Sequence, residues 1–346
     1  MVRKIPFGVM PDGTAVEQYT LEAGALSCDI LTYGGALRAL RAPGRARTVD
    51  VLLGFDTLED YRRQDKYLGA LIGRYANRIG GSAFSLENQT YPLAANDGPN
   101  HLHGGRLGFD KQVWTAEEAT DHSLTLSLTS PDGQEGYPGT LTVRVTYTLT
   151  PEGLRIRYQA ESSRATPCNL TNHAYFNLSG HASGPVLDQT IQILADFYTP
   201  SDAASIPTGQ LAPVEGTPMD LRQPTVIGAG IDGDFQQLRN AGGYDHNWAV
   251  NGPAGTLRPA ARAFSPATGI SLEVWTTLPG VQFYSGNYLD GCPAGKDGAR
   301  YGKRWAFCLE TQLFPDTPHH ANFPACILRP GEVWDHTTEL RFHLAE

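Results

Sequence analysis

The apolar and polar residues of this chain alternate with a period of two over long stretches. The alternating stretches lie at residues 123–129, 141–149, 154–158, 191–194, 270–275, 281–284 and 340–343. A period of two places successive side chains on opposite faces of an extended backbone. These stretches are therefore predicted to be antiparallel strands, each with one face buried.

The remaining sequence adds turns and little helix. Residues 15–42 give short apolar runs broken by glycine-containing turns, which predicts a small β-meander. A helical turn is plausible only near residues 58–71, and the proline-rich residues 200–224 are predicted to form long loops. No strand–helix alternation appears, which disfavours a parallel α/β fold. The prediction is an all-β protein, a large antiparallel β-sandwich of two packed sheets, forming a single domain over residues 1–346.

Charge narrows the range of partners. The formal net charge of −9 argues against nucleic acid and against an anionic membrane surface. No stretch is long and apolar enough to cross a bilayer, and the amino terminus lacks the apolar core of a secretory signal. Five cysteines, widely spaced and without a C-x-x-C pair, are typical of reduced thiols in a cytoplasmic protein. We therefore expect a cytoplasmic protein, a monomer or homodimer, with no nucleic-acid or membrane partner.

The run at residues 170–180 is the first candidate for chemistry. It combines His173 with two asparagines and with the aromatic residues Tyr175 and Phe176. Aromatic faces, amide groups and a histidine that titrates near neutral pH suit a polar, ring-shaped ligand such as a sugar. The alternative is a strand end whose histidine and asparagines satisfy nearby backbone groups.

Basic side chains near glycines form two further candidates. Asn77 and Arg78 could present a guanidinium fork to ligand hydroxyls, although a surface arginine beside a turn has the same pattern. In residues 100–105, His101 and His103 point to opposite faces if the segment is extended, so only one can face a site. The glycines after His103 could let a ligand approach the backbone. No third metal ligand stands at a characteristic spacing, so no metal site is predicted.

Two carboxylates complete the set of candidates. Asp245 lies among aromatic and amide groups, where an Asx-type turn is the alternative role. Glu310 lies in an otherwise apolar strand, and a glutamate there is costly unless it is paired or functional. Glu310 is therefore the best candidate for a working base.

Six segments taken together resemble one known family. They are Asn77-Arg78-Ile79, residues 100–105, residues 171–178, Tyr244-Asp245-His246, residues 279–284 and Leu309-Glu310-Thr311-Gln312. In order and in sequence they resemble the aldose 1-epimerase (galactose mutarotase) family, and they span most of the chain.

The resemblance implies a fold, a reaction and residue roles. The implied fold is the galactose mutarotase type of β-sandwich, and the implied reaction interconverts the α and β anomers of free aldoses such as galactose and glucose, without a cofactor. It makes Glu310 the general base, His173 the general acid and His103 a second histidine at the ring oxygen. It also makes Arg78, Asp245 and Gln282 sugar-binding residues, with Asn77 and Tyr175 as further binding candidates.

Three rival functions remain at the level of sequence. A hexose-6-phosphate epimerase would need additional Arg or Lys side chains in the pocket, for which Arg74 is a candidate. A glycoside hydrolase could use Asp245 and Glu310 as its carboxylate pair. A non-catalytic sugar-binding module would have no use for an acid–base pair. The epimerase assignment further predicts that His173 is protonated and Glu310 ionised at working pH, because a nearby carboxylate favours the imidazolium.

Overall fold

A computed structural model of the chain describes residues 2–345, which form 27 strands and two short α-helices. The helices are α1, Leu58–Arg63, and α2, Gln236–Ala241. The strands in chain order are β1 Arg3–Val9, β2 Ala15–Ala23, β3 Leu26–Leu31, β4 Leu37–Pro43, β5 Thr48–Asp50, β6 Leu71–Ile72, β7 Arg78–Ile79, β8 Ala83–Leu86, β9 Gln89–Pro92, β10 His101–Leu102, β11 Thr115–Ala119, β12 Ser123–Ser130, β13 Leu141–Thr150, β14 Gly153–Ser162, β15 Thr166–Pro167, β16 Thr171–Asn172, β17 Thr190–Ile193, β18 Phe197–Thr199, β19 Ala212–Pro213, β20 Thr225–Val226, β21 Asp245–Ala249, β22 Arg258–Phe264, β23 Ile270–Thr276, β24 Gly280–Tyr284, β25 Cys308–Gln312, β26 Ile327–Leu328 and β27 Trp334–Leu344.

Three large sheets organise the molecule. The nine-stranded sheet has the order β11-β12-β13-β14-β27-β23-β22-β17-β20. The amino-terminal sheet runs β1-β2-β3-β4-β5, and a third sheet, called here the site sheet, runs β19-β18-β21-β24-β25. Neighbouring strands in the central hairpins and in the site sheet are antiparallel. The all-β prediction is confirmed, but the expected pair of sheets is divided into three large sheets and several two-stranded ladders.

The strands in which apolar and polar residues alternate strictly are the elements that the sequence predicts best. Along β13 the residues at 141, 143, 145, 147 and 149 are buried, and their neighbours are exposed or half-buried. These side chains join one extended core cluster with residues of the amino-terminal sheet and the site sheet, including Leu21, Val143 and Phe283. Burying one face against neighbouring sheets supplies the main driving force for such strands. The predicted meander at 15–42 and the strands near 191, 270, 281 and 340 are also confirmed.

Helix is scarce, as the pattern indicates. Thr57 caps α1 by accepting a hydrogen bond from the Asp60 backbone N–H, and the helix ends at Arg63 because Gln64 is already extended. The helical stretch is therefore shorter than the predicted residues 58–71. Within residues 2–345 no helix has the length and apolar character needed to cross a membrane.

Two neighbouring strands of the site sheet, β24 and β25, are buried on both faces. Every residue of β24 and β25 is buried, although these strands carry Gln282, Glu310 and Gln312. On β25, Leu309 and Thr311 face the nine-stranded sheet, where the Thr311 hydroxyl meets that of Thr338. The alternate residues, Glu310 among them, therefore point away from that sheet.

Two short ladders bring distant segments of chain to the same place. β7 pairs with β10, so that Arg78 lies opposite Leu102 and next to His103. β6 pairs with β16, which places His173 directly after a strand anchored at Leu71. Each ladder is only two residues long, yet together with β21, β24 and β25 they surround one cavity.

Candidate active site

A cavity of about 250 Å³ opens where the site sheet meets the two short ladders. Seven of the eight residues predicted from sequence line it, namely Glu310, His173, His103, Arg78, Asn77, Asp245 and Tyr175. The eighth, Gln282, does not. The volume is near the lower end of the range for small-molecule pockets, which suits a ligand of monosaccharide size.

A larger depression, about 380 Å³, lies at the β13–β14 hairpin and the end of β27. Three of its charged groups are already paired with one another, since Glu339 accepts hydrogen bonds from Arg155 and Arg341. It therefore lacks the convergent, uncommitted polar groups found in the smaller cavity, and the smaller cavity is the better candidate site.

Glu310 projects into the cavity from the middle of β25. The side chain is almost completely buried, and its Oε2 has no hydrogen-bond partner among the described residues. Burial raises the pKa of Glu310 well above its usual range; the nearby charge of Asp245 adds to this effect and Arg78 opposes it. A buried, unsatisfied carboxyl group that faces a cavity is the signature of a functional group rather than of a structural one.

His173 lies beside Glu310 and is held on several sides. Its Nε2 is 3.7 Å from Glu310 Oε1, and its Nδ1 is 3.5 Å from Cys308 Sγ. The ring of Tyr175 is nearly parallel to the imidazole at a centroid distance of 4.9 Å, and the ring of Tyr67 is nearly parallel at 5.9 Å. These contacts fix the plane of the imidazole and leave Nε2 as the nitrogen nearest the carboxylate.

The pKa shifts of this pair run opposite to those predicted. Burial lowers the pKa of His173 to about 4, while burial raises that of Glu310. The neighbouring carboxylate was expected to favour the imidazolium, but desolvation is the larger effect because both groups lie in a water-poor interior. Burial therefore favours the neutral form of each group, the carboxylic acid of Glu310 and the neutral imidazole of His173.

His103 has a defined tautomer. Its Nδ1 accepts a hydrogen bond from the Asn77 backbone N–H at 3.1 Å, so the proton of the neutral ring is on Nε2. Both residues adopt left-handed backbone conformations, with φ of 51° at His103 and 63° at Asn77. Such conformations are uncommon for residues with side chains and concentrate at functional sites. The result is a fixed N–H donor beside His173, whose ring centroid is 5.2 Å away.

The same tautomer bears on metal binding. One donor atom each from His103, His173 and Glu310 lie within 4.8 Å of one another, a third potential ligand that sequence spacing did not reveal. A histidine binds a metal ion through an unprotonated nitrogen. The Nδ1 of His103 is engaged by the Asn77 N–H and its Nε2 carries the proton, so the set does not fit a metal ion as it is arranged.

His101 is the second histidine of its segment and faces away from the cavity. Its Nδ1 donates to the Ala94 carbonyl, and its Nε2 accepts from the Tyr137 hydroxyl. The prediction that only one of the two histidines faces the site is confirmed. The glycines that follow do not serve a ligand: a Cβ on Gly104 would meet the Gly73 carbonyl, and one on Gly105 would meet Glu135. That expectation was wrong, because the close approach is between segments of the same chain.

Arg78 and Asp245 supply further polar groups to the cavity wall. Arg78 Nε donates to Asp97 at 2.7 Å, which leaves the other guanidinium N–H groups for a ligand. Asp245 accepts from the Gln282 amide at 2.7 Å, and Gln282 in turn accepts from Gln312 at 3.3 Å. Gln282 is thus committed to Asp245 and stands behind it, not in the cavity wall.

Arg74, the other arginine near this motif, lies elsewhere. Its guanidinium N–H groups all donate hydrogen bonds, to Ser130 and to the carbonyls of Pro131, Pro138 and Gly139. It is 2% exposed and fastens the loop after β12. Arg74 therefore cannot supply the additional cation that a phosphate-binding pocket would need.

Seven lining residues were missed by the sequence analysis: Asp65, Lys66, Tyr67, Asp97, Leu102, Tyr284 and Tyr288. One of them could have been found, because Tyr284 is two residues from Gln282 on a strand and thus shares its face. By the same rule, Cys308 shares a face of its strand with Glu310, which is two residues further along. Tyr67, with φ of 59°, and Asp97 lie in irregular segments that carry no periodic signal.

Comparison with known proteins extends these observations to the whole chain. The family model described as aldose 1-epimerase matches residues 17–341. The chain is 47% identical to human galactose mutarotase and 38% identical to Escherichia coli aldose 1-epimerase, covering 99% of both chains in each case. Among solved structures, the galactose 1-epimerase of Lactobacillus acidophilus superposes with a TM-score of 0.87 at 28% identity, over 100% of this chain and 99% of that one.

Proposed function

The chain belongs to the aldose 1-epimerase family and interconverts the α and β anomers of aldoses, and we propose that Glu310 and His173 carry out the proton transfers. The observation that supports this most is the 3.7 Å separation of their polar atoms at the wall of a monosaccharide-sized cavity. Ring opening needs a base at the C1 hydroxyl and an acid at the ring oxygen, and a carboxylate and an imidazole can fill both roles.

Glu310 and His173 share one proton, and ring opening moves that proton between them by way of the sugar. With the proton on His173, Glu310 removes the proton of the C1 hydroxyl while His173 protonates the ring oxygen. This leaves a carboxylic acid, a neutral imidazole and the open-chain aldehyde. After rotation about C1–C2, His173 takes the proton of the C5 hydroxyl while Glu310 gives its proton to the aldehyde oxygen, and the ring closes to the other anomer.

The neutral pair favoured by burial is thus the state that accompanies the open-chain sugar. Burial lowers the pKa of His173 and raises that of Glu310, so it stabilises the intermediate relative to the charged pair. Arg78 acts in the opposite sense by lowering the pKa of Glu310. Sugar hydroxyls that hydrogen-bond to the carboxylate add to the effect of Arg78, so that neither state is strongly trapped.

The remaining lining residues suit recognition of hydroxyl groups. The His103 Nε2–H is a fixed donor near His173, and we assign it to the ring oxygen side of the sugar. Arg78, Asn77 and Asp245 offer donors and acceptors for hydroxyls, and Tyr175 closes the site behind His173. Gln282 is assigned a supporting role through Asp245.

The charges of the cavity favour uncharged aldoses over phosphorylated ones. Both cations in its lining already have carboxylate partners: Arg78 contacts Asp97, and Lys66 Nζ is 3.0 Å from Asp65 Oδ1. Two more carboxyl groups, those of Asp245 and Glu310, face the same space. A dianionic phosphate would find no uncommitted cation there.

The cysteines and the spread of the site along the chain bear on the location and assembly of the protein. Five free thiols, four of them buried, support a reducing, cytoplasmic location. The lining residues are drawn from positions 65 to 310 of the chain, which supports a single domain over residues 1–346, and the protein is assigned as a monomer or homodimer. The terminal residues Met1 and Glu346 lie outside the described range.

Polarimetry of freshly dissolved α-galactose, α-glucose and α-glucose 6-phosphate tests the proposal. We expect strong acceleration for the first two sugars and at least about tenfold lower kcat/KM for the phosphate, corresponding to one unfavourable interaction of about 1.4 kcal/mol. His173→Asn should lower kcat by about 10²–10⁴ on galactose.

Three results would contradict the proposal in different ways. Equal rates on the phosphorylated sugar would overturn the argument from charge. A loss confined to KM in His173→Asn would make that residue a binding group. Calorimetric binding of galactose without acceleration of mutarotation would favour the non-catalytic module.

A further inference from the structure

Cys308 and Glu310 contact the two ring nitrogens of the same histidine. They are two residues apart on β25 and therefore project from the same face of the strand. Glu310 Oε1 lies 3.7 Å from His173 Nε2, and Cys308 Sγ lies 3.5 Å from His173 Nδ1. One strand thus determines the environment of both nitrogens.

We propose that Cys308 is a positioning residue that keeps the proton of His173 on Nδ1, so that Nε2 alone gains and loses a proton during ring opening and closure. The inference rests on the acid role proposed for His173. In the charged pair Nδ1–H donates to Sγ and Nε2–H faces the sugar. After Nε2 has given its proton to the ring oxygen, Nδ1–H remains on Sγ, and the lone pair of Nε2 is free to take the proton back.

A neutral sulfur suits this task better than a carboxylate. Cys308 is 0% exposed, and burial raises the pKa of its thiol well above the usual range, so it remains uncharged. A carboxylate at this position would stabilise the imidazolium and so favour the charged pair over the neutral pair. The weak, uncharged acceptor orients the ring without shifting the balance between the two states of the pair.

Nitrogen-15 NMR of the histidine rings tests the tautomer directly. The chain has ten histidines, and the His173 signals are assigned by their loss in His173→Asn. At pH 7 we expect wild-type Nδ1 to show the shift of a protonated ring nitrogen and Nε2 that of an unprotonated one. The opposite pattern would overturn the proposal whatever the variants do.

Kinetics of matched variants test the consequence for turnover. Cys308→Ser retains an acceptor and should keep kcat within about threefold, whereas Cys308→Ala should lose about three- to tenfold in kcat with KM nearly unchanged and a shift towards the Nε2–H tautomer. Cys28→Ala is the control, because Cys28 is equally buried and lies on β3 of the amino-terminal sheet. The control should retain its turnover.

The outcomes separate this proposal from the proposed function. If Cys308→Ala and Cys28→Ala have the same kcat, or if Cys308→Ser is as impaired as Cys308→Ala, Cys308 serves packing alone and the proposal is wrong. If Cys308→Ala fails to fold, the wild-type tautomer and Cys308→Ser still decide. Full turnover in His173→Asn would instead overturn the acid role of His173, while the wild-type tautomer would remain a separate observation.

Discussion

The nine-stranded sheet and the site sheet each bury a glutamate in mid-strand, and the two side chains have opposite fates. Glu339 on β27 is 6% exposed and accepts hydrogen bonds from Arg155 and Arg341. Glu310 on β25 is 2% exposed, and its Oε2 has no partner in the described part of the chain. Burial raises both pKa values, but for Glu339 the two guanidinium groups more than compensate, and its pKa is lowered.

This contrast shows what separates structural burial from functional burial. The nine-stranded sheet satisfies each charge that it covers, so its polar residues add little chemistry. The site sheet leaves one carboxyl group unsatisfied beside a cavity, at a cost in stability that only a ligand can offset. An unpaired buried acid is therefore a stronger indicator of function than a buried acid as such.

Replacing each glutamate by glutamine should separate the two cases, and Glu310→Gln should give the largest effect. Without a base at the C1 hydroxyl, kcat on galactose should fall by about 10²–10⁴. Stability should not fall with it, because the neutral amide avoids the burial of a titratable group. Polarimetry and urea unfolding measure the two quantities on the same preparation.

Glu339→Gln is the matched control with the reverse expectation. It should leave kcat unchanged and lower the free energy of unfolding by about 1 kcal/mol, since it weakens hydrogen bonds to two partly exposed arginines. Near wild-type turnover in Glu310→Gln would refute the base assignment. A comparable loss of turnover in both variants would show that the effect is transmitted through the fold.

Arg74 and Arg78 show the same contrast between a charged residue that serves the fold and one that lines the cavity. Arg78→Ala should lower kcat/KM by about 10- to 100-fold, the value of one or two hydrogen bonds to a charged group, with little change in stability. Arg74→Ala should leave five hydrogen bonds unmade, four of them buried, and cost about 3 kcal/mol or more.

Kinetics and denaturation of both arginine variants provide the check. For the folded fraction of Arg74→Ala, kcat/KM should be lowered less than in Arg78→Ala. If Arg74→Ala instead lost more activity than stability, the loop after β12 would contribute to the site as well as to the fold.

The nine-stranded sheet could be predicted from the sequence more completely than the site could. The strands of the nine-stranded sheet bury one face, so their period of two is visible, and Glu310 was conspicuous because a charge interrupts an apolar strand. The roles of Gln282 and Arg74 were not visible, because they depend on which neighbour each side chain meets. Tyr67 and Asp97 lie in irregular segments, and the ladders that gather the site are only two residues long. Such short pairings are set by tertiary packing and carry no pattern of their own.

The pH dependence of kcat/KM should show the smallest effect, because the pair changes its protonation little within the ordinary pH range. The active pair holds one proton, so activity is lost when the pair gains a second proton or loses the only one. Because the pKa of His173 is lowered to about 4 and that of Glu310 is raised, His173 governs the acidic limb and Glu310 the basic limb. This reverses the order expected from their ordinary values. We expect kcat/KM to fall by about tenfold per pH unit below about pH 4, after subtraction of the uncatalysed rate. Recovery of activity on return to pH 7 serves as the test of folding. An acidic limb near the ordinary pKa of histidine, about 6.5, would show that sugar-free His173 is not desolvated as the structure requires.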